Sequence, residues 1–313
     1  MELNSRIFVA GHNGMVGSAI VRKLIEEGYE NIITASHKDV NLSNQMHCLN
    51  FIADELPEYV FIAAAKVGGI VANSTYPADF IYENLMIQTN IIKWSHIFGV
   101  KKLLFLGSSC IYPRNCLQPI KEEYLMSGPL EKTNDAYATA KIAGIKMCQS
   151  FNEQYGSNFI SLMPTNLYGT GDNYHLENSH VFAAMIRKFH EAKIKKEDVI
   201  LWGTGSPYRE FLCVDDLADA CLFLMQNYNS SDIINVGSGN DISIKDLAFL
   251  MKKIIGLEGN IIFDDTKPDG TPKKLLDVSK LHSLGWRHKI DIEEGLKKTY
   301  KELLDNNIIF QVH

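Results

Sequence analysis

No stretch of the chain approaches the roughly 18 consecutive apolar residues that a membrane-crossing helix needs, so no membrane partner is expected. The first six residues lack the basic-then-apolar order of a secretory signal, and the expected location is cytoplasmic. Cysteine pairs are missing too: Cys48, Cys110, Cys116, Cys148, Cys213 and Cys221 are scattered without any C-x-x-C spacing. Neither a zinc site nor a disulfide framework is therefore expected. There is no basic excess, since 31 Lys and Arg stand against 37 Asp and Glu for a formal charge of −6. With no Lys/Arg stripe to neutralise phosphates, a nucleic-acid partner is not expected, and any anionic ligand must be met by a local cluster. Repeats, low-complexity tracts and long linkers are also lacking. What is present is an ordinary globular composition, 313 residues with 46% hydrophobic and 22% charged. That is enough for one large core, or for two unequal lobes, without a covalent staple.

The run Arg6-Ile7-Phe8-Val9-Ala10 reads as a short apolar strand, and helical periodicity takes over at residues 15–27. Between them lies Gly11-His12-Asn13-Gly14-Met15-Val16-Gly17. Glycines spaced G-x-x-G-x-x-G permit a tight turn, close approach of backbone to a pyrophosphate, and close packing of the new helix on the sheet. The helix start offers unpaired N–H groups to phosphate. Many strand-to-helix turns carry glycine for geometry alone; the place of this one, at the first such junction, argues for a dinucleotide.

Residues 31–35 read as a second strand. A carboxylate at its end would grip a ribose hydroxyl, but the chain continues Ser36-His37-Lys38, with Asp39 only afterwards. Two side chains able to carry positive charge suit a 2'-phosphate and hence NADP; a solvated loop containing a lysine is the plain alternative. A helix at 45–55 and a strand at 59–63 precede Ala64-Ala65-Lys66-Val67-Gly68-Gly69, where small residues leave room for a flat ligand. A helix over 77–98 leads to a strand with its apolar core at 103–106, followed by Gly107-Ser108-Ser109-Cys110. Ligands of open α/β sheets bind beyond the carboxyl ends of strands, which places Ser108 and Cys110 where chemistry would occur.

Next comes DAYATAKIAGIK, residues 135–146, a helix-forming run in which Tyr137 and Lys141 stand four apart and so share a face. An ammonium beside a phenol favours the phenolate, which makes Tyr137 a candidate acid or base near neutral pH. An isolated Y-x-x-x-K is more often an accident of an amphipathic helix. The glycine-rich turn and Ser108 reverse that judgement. Residues 158–163 form another strand, and from residue 170 the texture becomes polar and loop-like. His180 is expected to begin a helix; short strands flank a Gly/Ser/Pro turn at 199–203 and 209–212, and residues 233–236 are expected to return to the main sheet. The expected architecture is α/β: a Rossmann-type, doubly wound parallel sheet over residues 1–170, and a smaller α/β substrate lobe over 171–313, with elements at about 199–240 lent back to the first.

With these features in place, the chain resembles the extended short-chain dehydrogenases/reductases that act on nucleotide sugars. Six longer segments narrow the resemblance: AAAKVGGIVANSTYPADFIYEN, LGSSCIYP, MPTNLYG, the NSH of 178–180, WGTGSPYREFLCVDD and KPDGTPKKLLDV look like the GDP-L-fucose synthase family over nearly the whole length. The resemblance implies an NADPH-dependent enzyme acting on a GDP-linked 4-keto-6-deoxy sugar, inverting C3 and C5 and then reducing the C4 ketone. It implies Cys110 as base and His180 as acid for the inversions, with Ser108, Tyr137 and Lys141 serving the reduction. Lys188, Trp202, Arg209 and Asp269 would contact the GDP-sugar, together with Ser109, Cys110 and Asn166.

Cofactor contacts are then expected at Gly11, Asn13, Gly14, Met15, Val16 and Gly17 in the first turn, and at His37, Lys38, Asn41 and Leu42 after the second strand. Ala64, Ala65 and Leu106 follow the next two strands. Tyr137 and Lys141 lie on the helix, and Pro164, Asn166, Leu167 and His180 complete the set. Family members often carry arginines where this chain has Asn13 and His37, leaving Lys38 as the permanent cation for a 2'-phosphate. The resemblance also implies a homodimer through two helices of each subunit. Two rivals stand beside this reading: a C4 reductase without epimerase activity, taking a GDP-4-keto-heptose for capsular or surface polysaccharide, and a non-catalytic NADP-binding module. A C6 substituent would be read by loops such as 114–132 and 172–177.

Overall fold

A computed structural model of the chain describes residues 1–175, 179–267 and 269–305. Asn178 of the NSH segment, Pro268 of the KPDGTP segment and the end of the 172–177 loop lie outside the described residues.

The chain opens with β1 (Ile7–Ala10), α1 (Met15–Glu26), β2 (Ile32–Ile33), α2 (Gln45–Glu55) and β3 (Tyr59–Ile62), then α3 (Ile70–Thr75) and α4 (Pro77–Ile97). It continues through β4 (Lys102–Leu106), α5 (Asp135–Tyr155), β5 (Phe159–Pro164) and β6 (Asn166–Tyr168). There follow α6 (Val181–Lys195), β7 (Val199–Trp202), β8 (Tyr208–Cys213), α7 (Val214–Asn227), β9 (Ile234–Val236) and β10 (Asp241–Ser243). The last elements are α8 (Ile244–Ile255), β11 (Ile261–Asp264), β12 (Lys273–Lys274), α9 (Ser279–Ser283) and α10 (Ile292–Asp305).

Six of these strands form a parallel sheet in the order β2-β1-β3-β4-β5-β9. Alternate side chains leave a strand on opposite faces, and both faces are buried here. Ile7 and Val9 of β1 enter a core with α1 and α7, through Ile20, Leu24, Leu217 and Leu224. Phe8 and Ala10 enter a second core with α2, α4 and α5, through Ile52, Ile91, Ile92 and Ile145. This is the doubly wound α/β sheet expected from the sequence, and β9 sits on its edge against β5.

Other strands organise a third core around Tyr168, Phe182, Phe189, Phe211 and Met251, with the Tyr168 and Phe182 rings stacked 4.2 Å apart. Here β8 is the hub: β10 runs antiparallel to it, and β12 and β6 run parallel. The strands at 199–203 and 209–212 do not pair with each other. Instead β7 pairs in parallel with β11, and its Val199 and Leu201 point into the third core while Ile200 and Trp202 point out. The second strand is shorter than its β-branched composition suggests, only Ile32–Ile33.

Candidate active site

At the end of β1 the chain turns through Gly11, whose φ is +88°, and enters α1 from Gly14 with no side chain capping the first turn. The N–H groups at that end are therefore available to an anion, as a dinucleotide pyrophosphate requires. A Cβ on Gly17 would lie 2.0 Å from the Gly11 oxygen, and one on Gly11 would lie 2.6 Å from the Ala64 nitrogen. The turn thus rests directly on the backbone after β3, bringing the expected contacts at 11–17 and 64–65 together. This close-packed cradle fits a nicotinamide dinucleotide. After β2, His37 and Lys38 are exposed at a turn closed by Asp39, whose carboxylate accepts from the Ser36 hydroxyl at 2.5 Å. Asn41 accepts from Ser43, and Leu42 is buried.

Beyond β4, Ser108 caps a one-turn 3-10 helix, its hydroxyl accepting from the Cys110 N–H at 3.2 Å. Ser109 is buried and Cys110 half-exposed. Tyr137, in the first turn of α5, shares a hydrogen bond with Ser108 and lies close enough to Cys110 to feel its charge. Three expected groups therefore converge.

Lys141 behaves differently from expectation. It is 3% exposed, and its ammonium donates to the Leu106 carbonyl at 2.8 Å, with its Nζ 4.9 Å from the Phe105 ring centre and 5.8 Å from that of Tyr137. Burial pushes its pKa down to about 8. The phenol of Tyr137 is not acidified: burial raises its pKa, the neighbouring Cys110 raises it further, and only the Ser108 hydrogen bond opposes them. The expectation of a phenolate made stable by Lys141 is thus corrected. Sharing a helix face fixed the direction of both side chains, but desolvation outweighs a charge that is itself turned toward a carbonyl. In this state Tyr137 is a proton donor.

His180 sits at the N-cap of α6, one residue before the helix, and among the described residues its side chain has no hydrogen bond to Cys110 or Tyr137. Desolvation lowers its pKa although its surface stays open, as for a side chain in a cleft. Asn166 donates to the Glu210 carbonyl at 2.8 Å, beside the half-buried Leu167 and following Pro164 at the end of β5.

Four of the expected GDP-sugar contacts lie together: Lys188 of α6, Trp202 of β7, Arg209 of β8 and Asp269. Trp202 is 68% exposed, with the Nζ atoms of Lys188 and Lys267 at 5.8 and 6.0 Å from its ring centre. Burial lowers the pKa of Lys188. Asp269 accepts from the Thr204 N–H and hydroxyl at 2.9 and 2.7 Å, which holds its pKa down. Burial lowers the pKa of Arg209, and Asp269 opposes that shift. An exposed indole among cations offers a stacking face and a place for phosphate.

Sequence reasoning missed Asn134, which donates to the Cys110 sulfur at 3.4 Å, and Lys274, whose Nζ is 3.8 Å from it. It missed Asp172, where burial raises the carboxyl pKa to about 7, next to a Gly171 that approaches Met15. It also missed Glu210, fully buried on β8, whose carboxylate accepts the Gly239 and Leu276 N–H groups. Asn134 carries a local sign, since it stands at the N-cap of α5; the others carry none.

The uncapped turn on a parallel sheet, with Ser108, Tyr137 and Lys141 beyond its strand ends, defines a short-chain dehydrogenase/reductase with a nicotinamide cofactor. The profile of the NAD dependent epimerase/dehydratase family matches residues 7–237. A putative GDP-L-fucose synthase 2 of Arabidopsis thaliana is 58% identical over 98% of this chain and 94% of its own. A GDP-L-fucose synthase of Escherichia coli K12 is 51% identical over 98% of both. Among solved structures, a GDP-mannoheptose C4 reductase from Campylobacter jejuni with NADP bound is similar at TM-score 0.90 and 43% identity, over 96% of this chain and 98% of that one. The chain belongs to the NAD dependent epimerase/dehydratase family and, within it, to the GDP-L-fucose synthases.

Proposed function

We propose that the chain uses NADPH to reduce the C4 ketone of a GDP-4-keto-6-deoxy-hexose after inverting C3 and C5, as in GDP-L-fucose synthesis. The observation that carries this reading is the convergence of Ser108, Cys110 and Tyr137: two hydroxyls and a thiol from one loop and one helix turn. Protons alpha to a ketone become removable when donors stabilise the enolate oxygen, and the same donors polarise the ketone for reduction. Cys110 takes the proton from carbon, the electron pair moves to the oxygen held by Ser108 and Tyr137, and His180 returns a proton on the opposite face. Bound NADPH supplies the hydride at C4. Tyr137 gives its proton to the C4 oxygen, and Lys141, held on the Leu106 carbonyl, keeps a positive charge 5.8 Å from the Tyr137 ring centre.

His37 and Lys38 meet the 2'-phosphate, and residues 11–17, 41–42, 64–65, 106, 164 and 166–167 line the dinucleotide. Trp202 stacks on the base, Lys188 and Arg209 meet the diphosphate, and Asp269 completes the contact. Residues 1–170 hold the cofactor and 171–313 mainly the sugar nucleotide, with 199–240 shared between them. The enzyme works in the cytoplasm as a homodimer through α4 and α5, which present Tyr82 and Tyr155 at 63% and 53% exposure.

The 43% identity to a heptose reductase favours a second reading, reduction at C4 without inversion on a GDP-4-keto-heptose. One experiment separates them: turnover of GDP-4-keto-6-deoxymannose with NADPH in heavy water. Deuterium at both C3 and C5 of the product is expected; deuterium-free product, with faster turnover of the GDP-4-keto-heptose run beside it, establishes the second reading, and no NADPH oxidation with either sugar sinks both. In the same assay, kcat/KM for reduction is expected to fall as pH rises through about 8, where Lys141 loses its proton. A rate that stays flat well above that pH contradicts the need for its charge.

A further inference from the structure

Cys110 and Lys274 are brought together across 164 residues of sequence, the Nζ 3.8 Å from the sulfur. Lys274 is half-buried, and among the described residues no carboxylate pairs with it. Its neighbour Lys273 is paired, with Asp241 at 2.9 Å. An ammonium in contact with a sulfur and with no carboxylate beside it attracts a thiolate and does not attract a neutral thiol.

The backbone around Lys274 is fixed on both sides. It belongs to β12, which runs parallel to β8 with Lys274 opposite Arg209; the Leu275 N–H donates to the Gln118 side chain at 2.8 Å, and the Leu276 N–H to the Glu210 carboxylate at 2.9 Å. The Ile120 and Asp277 N–H groups close the segment onto residues 118–120. A strap held this way keeps the backbone of its lysine beside Cys110. From α5, Asn134 donates to the same sulfur at 3.4 Å, and its own Oδ1 is buried without a partner. Among the described residues, the titratable groups in contact with Cys110 are Lys274 from β12 and Tyr137 from α5, with Cys116 also near Lys274.

We propose that Lys274 is a positioning residue that holds Cys110 as a thiolate, with Asn134 as its second donor, and so sets the rate of the inversions rather than of hydride transfer. The proposal rests on Cys110 being the base, as argued above. Lys274 itself gives and takes no proton. A thiolate at Cys110 also disfavours ionisation of Tyr137, which keeps the phenol protonated for its later donation.

The test uses the full chain and needs no substrate for its first arm. Alkylation of Cys110 by iodoacetamide is followed by peptide mass spectrometry over a pH series, which separates it from Cys116, in the wild type, Lys274→Met and Lys274→Arg. The Met variant is expected to move the alkylation midpoint up by about one pH unit or more, and the Arg variant to leave it near the wild type. In the second arm, deuterium uptake at C3 and C5 near neutral pH is expected to fall roughly tenfold or more in Lys274→Met and to recover as pH rises. An unmoved midpoint in a folded Met variant overturns the proposal, as does a midpoint shifted equally by Arg. Should no GDP-4-keto sugar be turned over at all, the substrate reading fails while the alkylation arm still decides the role of Lys274.

Discussion

Tyr137→Phe is expected to cut reduction roughly 10³-fold while leaving NADPH binding and folding close to the parent, since general-acid groups contribute about 10²–10⁴ in rate. The structure explains why the loss should be that large. Burial and Cys110 both keep the phenol protonated, so it is the group beyond β4 ready to give a proton to a developing alkoxide. Ser108 hydrogen-bonds it but carries no comparable acid, and Lys141 is committed to the Leu106 carbonyl. The check is single-turnover NADPH oxidation together with a binding titration. Parent-like turnover in the variant would remove Tyr137 from the chemistry, and a parallel loss of NADPH affinity would recast it as a binding group.

Gly17→Ala is expected to weaken NADPH binding by about 100-fold or more and to lower thermal stability, whereas Gly14→Ala should be mild. The three glycines of the turn look equivalent in sequence and are not. A Cβ at 17 would stand 2.0 Å from the Gly11 oxygen and 2.5 Å from its carbonyl carbon; one at 14 would make only an ordinary contact, 3.5 Å from the same oxygen. Backbone cannot rotate away as a side-chain tip can, so the added methyl at 17 must push the turn off α1, costing about 1–3 kcal/mol in packing. Losing two charge-assisted N–H bonds to phosphate, each about 1.5–3 kcal/mol, yields the affinity change. Isothermal titration and a melting curve on both variants decide it: equal effects at 14 and 17 would mean that the close approach is not what places the phosphates.

These expectations also mark what was readable from the chain. The phosphate turn, the alternation of β1 and the Tyr137–Lys141 helix are local patterns, and local patterns survive translation into structure because 3.6- and 2-residue periods dictate which side chains share a face. The electrostatics of that helix did not survive. Spacing places Lys141 on the side of Tyr137 but says nothing of the Leu106 carbonyl that captures its Nζ, nor of the desolvation that raises the phenol. Helix α3 went unread because Ile70–Thr75 is six residues without a full amphipathic period. The Cys110 environment was half legible: Ser108 and Cys110 stand two residues apart in sequence, but Lys274 and the Glu210 anchor that fixes its strap are joined to them only by folding.

That last separation bears on how such an enzyme can change over generations. The groups assigned to ketone reduction, Ser108, Tyr137 and Lys141, fall within one stretch of 34 residues, while the cation facing the thiol is delivered by a two-residue strand near the far end. Substitutions in residues 273–277 can therefore retune or erase stereochemical inversion without touching the hydride-accepting half, so that a lineage could shed one of its two chemistries and keep the other intact.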